Sequence, residues 1–183
     1  MIEMKPSIFN PFTKIAGSKA LLIGLGFIIA TTIIGYYSNV HFDGALDAHS
    51  GKPSSLSIHA LQHLIAWGSV VLIFSLAGLI LSRSKFRFID IAGTIALARA
   101  PMLLVALLGF APALQNAKPG EISNSVLIIT LVMIFPIIWM ITLMYNAFTT
   151  SINAKGTKAI IGFIVGLILA EVLSKVLNQQ LNF

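Results

Sequence analysis

Five apolar stretches divide this chain: Ser18 to Ser38, Leu61 to Ser82, Phe88 to Leu114, Ser123 to Phe148 and Thr157 to Leu177. Each has the roughly 20 residues that a helix rising 1.5 Å per residue needs to cross a hydrocarbon core about 30 Å thick. Lipid offers no partner to a backbone N–H or C=O, so such a segment must satisfy its own hydrogen bonds as an α-helix. The expected fold class is all-α: a polytopic membrane bundle of five transmembrane helices, spanning about 18–38, 61–82, 88–114, 123–148 and 157–177. With loops too short for a separate domain, residues 18–183 are expected to form one transmembrane domain behind a cytoplasmic, interfacial segment at 1–17. A chain that is 57% hydrophobic and 10% charged is too apolar for a water-soluble domain of this length.

The basic residues give the orientation. Lys5, Lys14, Lys19, Arg83, Lys85, Arg87, Lys155 and Lys158 fall on one side of the alternating spans, and only Lys52, Lys118 and Lys175 on the other. This bias places the N-terminus in the cytoplasm and the C-terminus outside. The first span is expected to be retained, because its apolar run exceeds a signal-peptide core and Tyr36, Tyr37, Ser38 and Asn39 offer no A-x-A-like cleavage site. The net charge of +6 belongs to the membrane edges, so the expected partner is the lipid bilayer and not nucleic acid. Cysteine is absent, which excludes disulfides, thiolate metal sites and cysteine nucleophiles.

Ahead of the first span, Ile8, Phe9, Phe12 and Ile15 sit beside Lys5, Lys14 and Lys19 in a segment containing Asn10, Pro11 and Phe12. That mixture favours the headgroup layer, so this segment is expected to be an interfacial anchor, with a cytosolic docking peptide as the other reading. Pro11 separates any helix here from the first span.

The gap after the first span holds all four histidines or leads directly to them. His41 and Asp43, and Asp47 and His49, are paired at i,i+2, while His59 and His63 share one helix face at i,i+4. Imidazoles and carboxylates in such a set suit a transition metal. No recognised zinc spacing is present, however, and Gly44, Gly51, Pro53, Ser54 and Ser55 read as a pliable solvated loop, so no metal is expected.

Two charges fall at membrane depth. Arg99 lies about 16 Å in from Phe88 and Glu171 about 20 Å in from Lys158, matching within about one helical turn. An intramembrane Arg costs about 2.5–3.5 kcal/mol on insertion scales, so it faces the bundle interior and finds a partner. The expectation is an Arg99–Glu171 pair joining the third and fifth spans, the alternative being that each snorkels or binds carbonyls freed by Pro101. Pro101 and Pro136 are expected to kink the third and fourth spans. Gly162 and Gly166 form a G-x-x-x-G whose use is expected within the bundle in preference to a dimer.

Soluble-enzyme motifs are missing: there is no P-loop, no G-x-S-x-G, no H-E-x-x-H and no G-x-G-x-x-G after a strand. No catalytic residues, cofactor or enzymatic activity are expected. The chain resembles the Yip1 family of five-span membrane proteins, in its bacterial branch. The resemblance rests on Asn10-Pro11-Phe12, on the run Ile95-Ala96-Leu97-Ala98-Arg99-Ala100-Pro101-Met102-Leu103-Leu104, and on Trp139 and Leu143 followed by Lys155-Gly156-Thr157-Lys158-Ala159. It implies a multi-pass protein of a bacterial inner membrane that acts as a scaffold, organising the bilayer or assisting an assembly such as an ABC-type exporter. Partners would then be lipids, other integral membrane proteins or further copies of the chain. The GTPase binding of eukaryotic relatives is not expected, since the cytoplasmic surface falls short of the roughly 800 Å² per partner of a standard interface. The function expected from a different class is a small transporter or channel with a polar path near Arg99 and Glu171.

Overall fold

In a computed structural model of the chain, residues 8–82, 85–117 and 123–180 are described. A single 3-10 turn at Pro11–Thr13 leads into α1 (Gly17–Ser38). Two short antiparallel strands, β1 (Val40–His41) and β2 (His49–Ser50), then precede α2 (Leu56–Leu81). The third span is α3 (Phe88–Ala98) and α4 (Met102–Leu108), followed by a short α5 (Pro112–Gln115). The last two elements are α6 (Asn124–Ile152) and α7 (Thr157–Gln180). Among the described residues five helical segments are thus long and apolar enough to cross a membrane, with α3 and α4 counted together.

Polar caps set the helix ends where hydropathy alone does not. The second span begins at Leu56, upstream of the expected Leu61, because Ser55 Oγ accepts the Ile58 N–H at 3.3 Å. Ser123 caps α6 in the same way through the Val126 N–H. Asn39 and Asn153, both at positive φ, close α1 and α6 in the left-handed conformation that asparagine tolerates.

The third span, expected from Phe88 to Leu114 with a kink at Pro101, ends earlier, at Leu108, and is broken into two helices at the proline. Pro101 has no N–H to donate, and around it the ladder tightens to i→i−3 bonds: Ala100 N–H to Leu97 O at 3.1 Å and Met102 N–H to Arg99 O at 2.9 Å. The second stretch ends at Leu108, and Pro112 starts α5. Pro136 acts differently, since α6 continues through it as one helix.

The centre of the bundle is α3, whose residues from Ile91 to Ala98 are all buried. It meets α1 backbone to backbone. A Cβ on Gly24 would stand 2.5 Å from the Ala96 carbonyl carbon, and one on Gly93 would stand 2.8 Å from the Leu21 nitrogen. Gly162 and Gly166 turn inward, where they make room on α7 for Leu81 and Phe74 of α2. Phe74 also packs against Phe148 and Phe163, at centroid distances of 4.7 and 5.6 Å. Large apolar side chains such as Leu22, Leu79, Ile80, Phe135 and Ile168 are left on the lateral surface, as a lipid-facing wall requires.

Contacts between helix ends sort the charges. Ser82 Oγ donates to Ile152 O at 2.8 Å, and Gly17 lies against Asp90, so the starts of α1 and α3 and the ends of α2 and α6 share one end of the bundle. Lys14, Lys19, Lys85, Arg87, Lys155 and Lys158 lie in or beside the segments at this basic end, while Lys52 and Lys175 belong to the far end. Lys5, Arg83 and Lys118 lie outside the described residues.

The N-terminal segment is docked on the protein more firmly than an interfacial anchor requires. Phe12 is 2% exposed, Trp139 Nε1–H donates to Ile8 O at 3.1 Å, and Asn146 Nδ2–H donates to Phe9 O at 2.7 Å. Phe9 stands edge-on to Trp139 at 6.4 Å. Asn10 and Pro11 form the start of the turn that delivers Phe12 to the core.

Candidate functional site

The connection from α1 to α2, residues 39–55, folds back into the far end of the bundle. The expected pliable loop is instead a structured cap. Val40, His41, Phe42, Gly44 and Ala45 are buried, and the β1–β2 pair aligns Val40 with Ser50 and His41 with His49. Gly51 N–H adds a bond to Asn39 O at 2.9 Å.

Arg99 and Glu171 meet this cap from two sides. Arg99, 2% exposed at the break between α3 and α4, donates from Nη1 to Ala45 O at 2.9 Å. Glu171 Oε2 on α7 accepts the Leu46 N–H at 2.8 Å. Those two backbone groups belong to the same peptide bond, so one peptide unit is held by a cation at its oxygen and a carboxylate at its nitrogen. The expected direct ion pair is absent among the described residues. The loop backbone stands between the two side chains, and charge-assisted hydrogen bonds replace the pair.

The rest of one α7 face completes the clamp. Ser174 Oγ accepts the Ala45 N–H at 3.0 Å and donates to Glu171 O. Lys175 Nζ donates to Asp43 Oδ1 at 2.9 Å and to Asp47 Oδ2. Asn178 Nδ2–H donates to Asp43 O at 2.6 Å. Positions 171, 174, 175 and 178 follow the i, i+3, i+4, i+7 spacing of one helix face. Sequence reasoning missed Ser174 and Asn178. Their signal was this polar stripe closing an otherwise apolar helix. Gly44 is required by the clamp, since a Cβ there would lie 2.5 Å from Glu171 Oε1 and 2.8 Å from Asp47 Cβ.

The histidines form a second layer. His41 stacks between His49, at 5.6 Å, and His59, at 4.4 Å. Its Nδ1 lies 3.1 Å from Gln62 Oε1, and its Nε2–H donates to Lys52 O at 3.0 Å. His63, one turn below His59 on α2, is 1% exposed and stacks on Phe42 at 4.5 Å. Thr32 donates its hydroxyl to Ile28 O, so its oxygen accepts from His63 Nδ1–H at 2.7 Å, which fixes the imidazole tautomer.

Asp43, Asp47 and His49 bring their ligand atoms within 4.8 Å of one another. Lys175 already places its ammonium against both carboxylates, supplying the positive charge that a metal ion would bring. His41, His59 and His63 are engaged by Gln62, Ser55 and Thr32 and do not join that set. Burial opposes the Asp43 charge, but hydrogen bonds and charge from His49 and Lys175 outweigh it and hold this carboxyl well below the usual carboxylate range. The hydrogen bond to Asp43 raises the His49 imidazole above its ordinary value against the effect of partial burial.

This arrangement holds a backbone in place. No family model, curated protein or solved structure matches the chain, so the reading of the site rests on its own residues.

Proposed function

We propose that this protein is a non-enzymatic membrane scaffold that organises the bilayer around it or supports a larger membrane assembly such as an exporter, as the Yip1 resemblance implies. In this reading the basic end and the N-terminus face the cytoplasm and the C-terminus lies outside, in the inner membrane of a bacterium. The observation that carries it is the doubly held Ala45–Leu46 peptide. Charges at membrane depth usually mark substrate or ion pathways. Here Arg99, through Nη1, and Glu171, through Oε2, each bind the backbone of a cap on the bundle, a use that favours a rigid structural element over a polar conduit. The basic residues gathered at one end support the orientation through the positive-inside bias.

Reconstitution into liposomes tests the choice. The scaffold reading expects no ion or proton flux above that of empty vesicles, together with a membrane partner or a homo-oligomer on mild-detergent purification. Flux that disappears in Glu171→Gln would overturn it in favour of a transporter. Because the chain contains no cysteine, single cysteines at Lys158 and Lys52 report sidedness directly. A membrane-impermeant maleimide added to intact cells is expected to label position 52 and spare position 158.

A further inference from the structure

Two grooves flank the half of α2 nearest the basic end. One, about 610 Å³, runs past Leu72, Leu76 and Leu79 and closes at Phe86 and Lys85. The other, about 440 Å³, lies between α2 and α7, walled by Ile80, Val165 and Leu169, and reaches Lys158. Gly162 and Gly166 lie in its lining. Leu76 is the shared wall. Leu79 and Ile80 are 75% and 82% exposed, so both grooves open sideways into the lipid.

Neither groove is lined by an acidic residue. Among the described residues the carboxylate at this end is Asp90, and Arg87 already holds it through two hydrogen bonds of 2.9 Å. Lys85 and Lys158 therefore have no carboxylate partner among the described residues. Each groove presents an apolar trough along the span and a lysine at the membrane edge, the order of parts in an anionic phospholipid. A second copy of the chain is a poorer occupant, since symmetric pairing across these faces would bring like charges to the same level.

We propose that the two grooves seat anionic phospholipids, with an acyl chain in each trough and the phosphates at Lys85 and Lys158. This goes beyond the scaffold reading and depends only on the chain spanning a bilayer. Native mass spectrometry of the full chain, stripped of lipid and incubated with phosphatidylglycerol or with phosphatidylcholine of the same chains, tests it. Wild type is expected to retain up to two phosphatidylglycerols, with roughly fivefold preference per site, the ratio that about 1 kcal/mol per lysine at an anionic surface gives. Lys85→Gln with Lys158→Gln is expected to lose that preference, and the double Arg variant to keep it. Equal retention of the two lipids by wild type would overturn the proposal, whatever the variants do. So would an unchanged preference in the folded Gln variant, or a dimer that carries no lipid and so assigns the grooves to a second copy.

Discussion

Arg99 and Glu171 grip the two ends of one peptide bond: the guanidinium donates to Ala45 O at 2.9 Å, and the carboxylate accepts the Leu46 N–H at 2.8 Å. The charges on the third and last spans thus cooperate without touching. Loss of Arg99 leaves the peptide held from the α7 side only, whereas loss of Glu171 leaves Ser174, Lys175 and Asn178 still holding the loop.

Arg99→Leu is expected to destabilise the folded protein by about 1.5–3 kcal/mol, the range for a hydrogen bond to a charged group. Glu171→Gln is expected to cost less, because its amide oxygen still accepts the Leu46 N–H. Since both act on one peptide, the double variant is expected to fall short of the sum by at least about 0.5 kcal/mol. Reversible unfolding in mixed SDS micelles measures all three, and strict additivity would show that the shared peptide does not couple them.

Glycine substitutions separate the clamp from the rest of the fold. Gly44→Ala would push a methyl into the Glu171 carboxylate and is expected to cost about 1–3 kcal/mol, as overpacking does. Gly26→Ala and Gly68→Ala meet open space on helices and are expected to be neutral or slightly stabilising, because alanine is the better helix former. Thermal melts of the three variants in detergent check this contrast.

The Asp43–His49 contact gives the loop a pH window. Asp43, with its folded value depressed, contributes stability above the unfolded carboxylate value of about 3.9, and that contribution is lost as pH falls further through the folded value. His49, with its folded value raised, contributes below the unfolded value of about 6.5 and loses that contribution as pH rises through the raised one. The pair's contribution is therefore expected to be greatest between about pH 4 and 6.5. His49→Gln is expected to remove the pair's share of the loss in melting temperature between pH 6 and 8, while Lys175 still holds Asp43. Melting curves of wild type and variant across that range decide it.

Docking of the N-terminal segment depends on two side chains of α6. Trp139→Phe with Asn146→Leu removes the hydrogen bonds to Ile8 O and Phe9 O, each worth about 0.5–1.5 kcal/mol. Trypsin is expected to cut after Lys14 several-fold faster in the double variant, with the spans intact. Equal cleavage rates would mean that these two hydrogen bonds do not hold the segment.

The number of spans, their alternation and the collection of basic residues at one end are legible in the amino-acid order, because length and hydropathy are properties of contiguous segments that the bilayer reads locally. That order also picks out Arg99 and Glu171, since a charge at membrane depth demands a partner wherever it occurs. Tertiary structure alone decided what that partner is. The bonds to Ala45 O and Leu46 N–H join residues 54 and 125 positions apart, and no local periodicity encodes them. The connection after α1, polar and glycine-containing, carries the pattern of a solvated loop. Its burial follows from Glu171, Ser174, Lys175 and Asn178 offering one helix face of donors and acceptors to backbone groups that the bundle shields from water.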